Sequence, residues 1–394
     1  MKRILFYTGA KTYGGHEITS LFILKWFLER GTEVECVFPP ENQPLADALT
    51  KLEEKNGRLR LWPMTPPRVL FHALHHRCCH QTVDALVVEF TRLDVDFAFV
   101  SQGNLEISAL GTLAARKACI PCLSYLPMAH GFREMGTHYG RLRDLFNRYL
   151  VHQPAFWLTC TETQTERLRR LGAQQPIELL PQPIAFDEPP APADVRRELG
   201  IAQDAVVLGM CGRLNNKQKG CDLFTRALSE SPSDSPLRAC TVLLIGEGQD
   251  GRDSVATLRS NGWSGKLHCT GWCAHPEKYL STLDLLVLPS RFEGLPHVIL
   301  EALYLGIPVA AADVDGLSDY LPSEWLFPKE NATALRAKLL EFLQDQEAYL
   351  SALPELRQRV IRENAPQAVS KALESILIKF SKYIGLALRD EQSS

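Results

Sequence analysis

Two glutamates eight positions apart flank a turn between an apolar strand and an apolar helix. Residues 289–308 read PSRFEGLPHVILEALYLGIP, which places Glu293 before the helix and Glu301 inside it. Pro296 suits the first turn of a helix, and Gly306 is typical of its end. The apolar residues recur at the spacing of one helix face, at Leu295, Val298, Ile299 and Ala302. Glu301 is therefore predicted beside a buried face, where a carboxylate needs a hydrogen-bonding partner.

This turn can bind a phosphorylated polyol. The backbone N–H groups of Gly294 and Leu295, at the predicted start of the helix, form a cradle for an anion such as phosphate. Glu301 can accept hydrogen bonds from two hydroxyl groups, as in a ribose, and Glu293 from those of a further polyol. Phosphate, ribose and polyol together describe a nucleotide-sugar. The alternative is an ordinary strand–turn–helix unit with two surface carboxylates.

Three further motifs follow predicted strands in the order expected of one known family. They are Tyr13-Gly14-Gly15-His16-Glu17, Gly212-Arg213-Leu214 with Lys219-Gly220, and Ile245-Gly246-Glu247-Gly248. Together with the paired glutamates, these motifs resemble those of retaining glycosyltransferases of the GT-B fold, glycosyltransferase family 4, also called glycosyl transferases group 1. The resemblance spans most of the chain. It indicates the fold and the reaction class, and says little about the sugar or the acceptor.

The resemblance implies an α/β protein of the GT-B fold, with two doubly wound Rossmann-like domains facing each other across a cleft. It implies a hexosyltransferase that moves a sugar from a nucleotide-sugar, with UDP as the expected carrier, to a hydroxyl acceptor. Its donor-binding residues would be Gly15, Arg213, Lys219, Trp272, Glu293, Gly294, Leu295 and Glu301. Its acceptor side would hold Tyr13, Gly14, His16, Glu17 and His130. Its catalytic residues would be Glu293, His130, Arg213 and Lys219.

The basic residues after the mid-chain strand would neutralise the diphosphate of the donor. In the family the spacing is Arg-Leu-x-x-x-Lys-Gly, and here it is one residue longer. Either Lys217 or Lys219 can therefore fill the role, and the following glycine favours Lys219. The resemblance implies transfer without a divalent metal or other cofactor, with Arg213, Lys219 and the helix N-terminus supplying the positive charge.

A histidine at the end of a first-domain strand is the candidate contact to the sugar or the acceptor. His130 matches a family histidine at this point, and His138 is the weaker candidate; a structural loop histidine is the alternative. Retention of configuration allows two schemes. A double displacement needs a carboxylate nucleophile. Same-face attack lets the departing phosphate oxygen take the acceptor proton, and we favour this scheme because no residue suits the nucleophile role.

Composition indicates an ordinary globular protein. The 394 residues are 45% hydrophobic and 23% charged, with a formal net charge of −3, which argues against general attraction to nucleic acid or to an acidic membrane. Residues 3–7 are too short for a signal-peptide core and read as the first strand. The 11 cysteines are scattered and odd in number, which favours reduced thiols. We therefore expect a cytoplasmic protein.

A cluster of histidine and cysteine lies between His72 and His80. These residue types suit zinc, but the segment lacks a second ligand pair at a recognised spacing. An acceptor-side surface is the favoured interpretation. Arg68, Arg77 and Phe71 in the same region also suggest a weak, peripheral membrane contact. The oligomeric state cannot be inferred from the sequence.

Strands and helices alternate along the chain, which predicts parallel sheets covered on both faces. We predict a first domain over residues 1–185, a proline-rich linker over 186–200 and a second domain over 201–366. A C-terminal helix at about 367–390 would return to the first domain. The predicted strands are Ile4–Thr8, Val34–Phe38, Leu59–Trp62, Asp96–Val100, Cys122–Leu126, Phe156–Thr159, Ile177–Leu180, Val206–Met210, Val242–Ile245, Leu267–Cys269, Leu285–Leu288 and Val309–Ala312.

Two rival functions use the same donor motifs. A nucleotide-sugar epimerase of the GT-B fold would turn over the donor without an acceptor. A non-catalytic homologue would bind a nucleotide-sugar or act as a scaffold. The presence of Arg213, Lys219, Glu293 and Glu301 together argues against the second rival, because a homologue without activity need not keep all four.

Overall fold

The chain divides into two compact units. The structure, a computed structural model, describes residues 2–67, 71–74, 80–184 and 191–385. The first unit comprises Met1–Pro183 and Pro366–Ser394, and the second comprises Ile184–Ala365. Most of the predicted histidine and cysteine cluster, together with Arg68 and Arg77, lies outside the described residues.

Seven parallel strands form the sheet of the first unit. They are β1 (Arg3–Thr8), β2 (Glu33–Phe38), β3 (Leu59–Pro63), β4 (Phe97–Ser101), β5 (Cys122–Tyr125), β6 (Phe156–Thr159) and β7 (Ile177–Leu179). Their order is β3-β2-β1-β4-β5-β6-β7. The helices between them are α1 (Gly15–Glu29), α2 (Gln43–Lys55), α3 (His80–Arg92), α4 (Ala109–Lys117), α5 (Gly140–Val151) and α6 (Glu162–Arg170), with a 3-10 turn at His72–Leu74.

This sheet is covered on both faces because successive residues of a strand point to opposite sides. Ile4 and Phe6 of β1 belong to one buried cluster, which includes Phe27 of α1. Leu5 and Tyr7 belong to the cluster on the other face. Strands of this kind read as nearly continuous apolar runs, which is why they could be predicted. The strand order reverses between β1 and β4, so the loops after these strands flank the switch point where α/β sheets bind ligands.

The second unit repeats the arrangement with six parallel strands. They are β8 (Val207–Cys211), β9 (Thr241–Ile245), β10 (Leu267–Cys269), β11 (Leu285–Leu288), β12 (Val309–Ala312) and β13 (Leu326–Phe327), in the order β10-β9-β8-β11-β12-β13. The helices are α7 (Pro192–Glu198), α8 (Asn216–Lys219), α9 (Cys221–Ser229), α10 (Gln249–Ser260), α11 (Pro276–Leu280), α12 (His297–Leu305), α13 (Ala332–Gln344) and α14 (Gln346–Asn364). Short 3-10 turns lie at Pro236–Ala239, Leu317–Asp319 and Ser323–Trp325.

The last helix, α15 (Pro366–Ile384), belongs to the first unit. Its apolar face packs into the cluster that contains Ile4, Phe6 and Phe97, through Val369, Leu373, Ile376, Leu377 and Phe380. The ring of Phe380 meets those of Phe97 and Phe156 edge to face, with centroids 5.2 and 5.7 Å apart. Within the described residues, no helix is both long and apolar enough to cross a membrane.

The structure corrects several predicted boundaries. Residues 191–200 of the predicted linker carry α7 and lie in the second unit, while residues 186–190 lie outside the described residues. Helix α1 begins at Gly15, and Glu17 lies in its first turn. All twelve predicted strands are present with ends differing by at most one residue. Strand β13 was not predicted, because two residues at a sheet edge are too few to show a pattern.

Candidate active site

The predicted donor motifs meet at one edge of the second sheet. The strands β8, β9 and β11 are parallel, so the loops that follow them leave the sheet on the same side. Two glycines permit their close approach. Gly246 has φ +123°, and a Cβ there would lie 2.0 Å from the carbonyl oxygen of Gly212. Gly220 has φ +68°, and a Cβ there would lie 2.1 Å from the carbonyl oxygen of Pro289. Side chains at these positions would push the loops apart.

Lys219 and Glu293 form a buried ion pair between two of these loops. The Lys219 Nζ donates a hydrogen bond of 2.6 Å to Glu293 Oε1, and both side chains are largely shielded from solvent. The backbone N–H of Glu293 donates to Asp315 Oδ2 at 2.7 Å, which fixes the turn. Lys217 is exposed. Of the two lysines that the sequence left open, the structure therefore brings Lys219 to the paired glutamates.

Arg291 joins the same two loops, and the sequence did not single it out. Its backbone N–H donates to the carbonyl oxygen of Gln218 at 2.7 Å. Its guanidinium bonds both carboxylate oxygens of Asp222, at 2.9 and 2.8 Å, and the carbonyl oxygen of Asn216. These bonds lower the pKa of the Asp222 carboxyl. The sequence could have pointed to Arg291, because it lies two residues before Glu293. Nothing in the sequence identifies Asp222 as its partner.

Glu301 is a buried carboxylate on α12, only 8% exposed. Burial and, to a smaller extent, the nearby Glu277 carboxylate raise the pKa of its carboxyl to about 7. Among the described residues, no side chain or backbone group donates a hydrogen bond to it. Glu301 and Lys219 both act electrostatically on the buried thiol of Cys211 at the end of β8, which places both groups at this edge. An unbonded buried carboxylate is costly unless a ligand supplies the donors.

The predicted anion cradle lies two residues further along the chain. Pro296 caps α12 and accepts a hydrogen bond from the N–H of Ile299 at 3.0 Å, so the helix begins at His297. Gly294 and Leu295 belong to the preceding loop. The N–H groups of the first helical turn are therefore those of His297 and Val298. The sequence pattern misplaced the start because proline is accepted both at the cap and inside the first turn.

Trp272 and Arg213 are both exposed. Trp272 lies in the loop after β10, where Gly271 forms an isolated bridge with Gly246. Arg213 lies in the loop after β8, between Gly212 and Leu214, whose N–H donates to the carbonyl oxygen of Glu247 at 2.8 Å. The two loops are thus held to their neighbours through the backbone. Both side chains are exposed to solvent at this edge.

The first unit holds the other predicted residues. Gly14 caps α1 in an extended conformation that any residue adopts, so its backbone gives no reason for glycine. His16 Nε2 lies 2.7 Å from Glu17 Oε1, and Glu17 is buried in the first turn of the helix. Burial raises the pKa of Tyr13 to about 12, and the Glu17 charge raises it further.

His130 is fully buried in the loop after β5. Its neighbour Ala129 donates an N–H to the side chain of Gln164 at 2.7 Å, which ties this loop to α6. His138 is exposed. The structure therefore places His130, and not His138, in a fixed and shielded position.

A pocket of about 590 Å³ opens at the switch point of the first sheet. Its walls come from the loops after β1 and β4 and include Lys11, Thr12, His72, Glu106 and Ser108. The Glu106 carboxylate is buried and accepts hydrogen bonds from Arg143 and, at 2.9 Å, from Asn147. Burial lowers the pKa of His72, which keeps this imidazole neutral near pH 7. The pocket wall thus combines charged and neutral hydrogen-bonding groups.

Comparison with known proteins agrees with this geometry. Residues 205–345 match the family model described as glycosyl transferases group 1. The chain is 32% identical over 181 residues to the 2-deoxystreptamine glucosyltransferase of Streptomyces kanamyceticus, covering 44% of this chain and 46% of that protein. It is 25% identical over 293 residues to the 2-deoxystreptamine N-acetyl-D-glucosaminyltransferase of Streptomyces fradiae, covering 70% and 68%. The chain thus spans about half the length of the first of these relatives.

The fold also matches solved structures. Anabaena HepE, solved in complex with UDP and glucose, aligns with a TM-score of 0.76 at 17% identity, over 96% of this chain and 100% of that one. This likeness shows that the chain has the GT-B fold, with two parallel-sheet Rossmann-like domains.

Proposed function

We propose that the chain is a retaining glycosyltransferase of family 4, a hexosyltransferase that moves a sugar from a UDP-sugar to a hydroxyl group of an acceptor. The observation that carries this proposal is the edge of the second sheet, where a buried Lys219–Glu293 pair joins two neighbouring segments and the following helix, α12, carries the buried, unbonded Glu301. A cation, a carboxylate held at fixed geometry and a second carboxylate without donors are what a nucleotide-sugar requires. HepE, which shares the fold, was solved in complex with UDP and glucose and in complex with UDP-glucose.

Each residue then has a role set by its surroundings. The ribose hydroxyls would donate to Glu301, which gains the hydrogen bonds that the ligand-free protein lacks. Lys219 and Arg213 would balance the diphosphate as it departs, because charge-assisted bonds are strongest where water is excluded. Glu293, held by Lys219 and by its own N–H bond to Asp315, would orient the hydroxyls of the transferred sugar. Trp272 would contact the base.

For the chemical step we propose same-face attack without a divalent metal. The bond between the anomeric carbon and the phosphate oxygen breaks while the acceptor oxygen bonds to the same face of that carbon. The departing phosphate oxygen takes the acceptor proton. Lys219 and Arg213 supply the positive charge that stabilises the leaving diphosphate. The protein's other contribution is to hold donor and acceptor in position.

The acceptor would enter through the first unit. The pocket at its switch point has hydrogen-bonding walls suited to a polyhydroxylated molecule, and the two Streptomyces relatives are named for transfer to 2-deoxystreptamine. His130 would hydrogen-bond the sugar or orient the acceptor. The nine described cysteines are all free thiols, which supports a reducing, cytoplasmic setting.

Donor binding is the first test. The full chain would be titrated with UDP-, GDP-, ADP- and TDP-glucose by calorimetry, with and without EDTA. The wild type would be compared with Glu301→Gln and with Glu355→Gln, an exposed glutamate on α14. We expect micromolar binding of UDP-glucose, unchanged by EDTA and in Glu355→Gln, and about 10- to 100-fold weaker in Glu301→Gln. Equal binding in both variants would contradict the assigned site.

Turnover separates the transferase from the rival functions. With an aminocyclitol or sugar alcohol acceptor, the transferase should release UDP and form a product whose anomeric proton coupling matches that of the donor. Conversion of the donor to its epimer without an acceptor would identify an epimerase. Donor binding with no turnover in a broad acceptor screen would favour the non-catalytic homologue.

A further inference from the structure

Glu17 is a second buried carboxylate without hydrogen-bond donors, and it lies in the first unit. It occupies the first turn of α1, at the edge where β1 ends, and is 1% exposed. A glutamate at the third position of a helix can bond the backbone N–H of the capping residue. Within the part of the chain that the structure describes, neither of its carboxylate oxygens accepts a hydrogen bond. Burial without donors is costly, so this carboxylate requires an explanation.

The surroundings of Glu17 favour a cationic ligand. His16 Nε2 lies 2.7 Å from Glu17 Oε1, but the two atoms are not in hydrogen-bonding geometry. No lysine or arginine among the described residues forms an ion pair with Glu17. The Glu17 charge also acts on Tyr13, whose raised pKa keeps the phenol neutral and places it close to the carboxylate. The site therefore combines a carboxylate without donors and a neutral hydroxyl group.

Gly14 gives a ligand access to this carboxylate. It is partly exposed, and a Cβ built on it would lie 3.6 Å from Glu17 Oε2, an ordinary contact distance. Because Gly14 has no side chain, a group that arrives from solvent at this residue can reach the carboxylate. The loop after β4 packs against the neighbouring imidazole, since a Cβ on Gly103 would lie 2.9 Å from His16 Cε1. The imidazole therefore has little room to move.

We propose that Glu17 binds a protonated amine of the acceptor, so that the acceptor is a polyol that carries an ammonium group and not a neutral polyol. This inference rests on the proposed transferase function and names its acceptor class. An ammonium group offers three N–H donors and the opposite charge, so it can bond both Glu17 oxygens and the Tyr13 hydroxyl. A hydroxyl group offers one donor and no charge, which leaves the buried carboxylate without a counter-charge.

Streptamine and scyllo-inositol form a matched pair of probes, because they share the ring and its stereochemistry and differ in two amines that replace two hydroxyl groups. Calorimetry would measure the binding of each probe to the full chain, with and without UDP. The variants are Glu17→Gln, which keeps the shape and removes the charge, and Gly14→Ala, which places a methyl group in front of Glu17 Oε2. Glu29→Gln, at the exposed far end of α1, is the matched control. Circular dichroism melting would show that each variant is folded, and UDP-glucose binding would show that its donor site is intact.

We expect the wild type and Glu29→Gln to bind streptamine at least about tenfold more tightly than scyllo-inositol, and Glu17→Gln to lose most of this preference. Gly14→Ala should weaken streptamine binding about tenfold and melt close to the wild type, because its extended backbone accepts alanine. Equal affinity of the wild type for the two probes, including no binding of either, would overturn the inference, and so would a preference that Glu17→Gln retains.

Turnover distinguishes this failure from a failure of the proposed function. If the wild type transfers glucose to scyllo-inositol as readily as to streptamine, the transferase stands and the amine site is rejected. If streptamine binds through Glu17 but no acceptor is glycosylated, the proposed function fails and the amine site stands.

Discussion

Replacing Glu301 with glutamine should stabilise the ligand-free protein at alkaline pH. Burial raises the pKa of the Glu301 carboxyl from its ordinary 4.5 to about 7. The folded protein therefore holds this proton more tightly than the unfolded chain does. A raised carboxyl pKa means that unfolding releases a proton between these two values, so stability decreases as pH rises from about 4.5 to about 7 and then levels off.

The size of the effect follows from the pKa. Each pKa unit corresponds to about 1.4 kcal/mol, so the charged carboxylate costs about 3 kcal/mol of unfolding free energy at pH 8 and less than about 1 kcal/mol at pH 5. Glutamine keeps the shape and removes the charge. For a unit of this size, 1 kcal/mol moves the melting temperature by roughly 2–4 °C. Glu301→Gln should therefore melt roughly 6–12 °C above the wild type at pH 8 and close to it at pH 5.

Calorimetric melting of the wild type, Glu301→Gln and Glu355→Gln across pH 5 to 8 measures this difference. The exposed Glu355 controls for the loss of a charge as such. In the same samples, UDP-glucose should raise the melting temperature of the wild type by more than it raises that of Glu301→Gln, because the variant binds the ligand more weakly. The reasoning is refuted if Glu301→Gln is less stable than the wild type at pH 8, or if its advantage is the same at pH 5.

Three further predictions concern the loops that surround this carboxylate. Lys219→Gln should lower kcat/KM at least about 100-fold while Lys217→Gln stays within about twofold, because of these two lysines it is Lys219 that pairs with Glu293; equal losses in steady-state kinetics would reject the assignment. Arg291→Lys and Asp222→Asn should each raise the donor KM about tenfold with a smaller change in kcat, and the double variant should be no worse than either single one; additive losses would show that the two residues act separately. Gly220→Ala should lower the melting temperature and weaken donor binding, since its φ of +68° and its close carbonyl neighbour leave no room for a methyl group; a melting curve like that of the wild type would contradict this.

The strands could be predicted because parallel strands buried on both faces leave uninterrupted apolar runs. Strand β9 reads TVLLI and β11 reads LLVL, and every residue of both is buried. The C-terminal helix α15 could also be predicted, since its buried residues Leu373, Ile376, Leu377 and Phe380 recur at helical spacing. The start of α12 was wrong by two residues, because a proline fits both the cap and the first turn. Helix α7 was missed because its seven residues follow a proline-rich stretch.

The candidate site could be predicted as a set of motifs and not as a network of contacts. The spacing of Lys217 and Lys219 could not decide between them; the answer depends on how the loop after β8 bends towards Glu293. The bond between Arg291 and Asp222 joins residues 69 positions apart, and neither residue belongs to a periodic pattern.

The position of α15 sets the order in which the two units can be completed during synthesis. The helix covers a buried cluster of the N-terminal sheet, yet the chain between them is the whole of residues 184–365. The ribosome therefore synthesises the whole second unit before it synthesises α15, the helix that completes the first unit. Until then Phe97 and Phe156 lack their ring partner Phe380. The nascent N-terminal sheet therefore keeps part of its apolar surface uncovered until the last helix is made, and a stop codon just before Pro366 would leave a complete C-terminal unit attached to an incomplete N-terminal one.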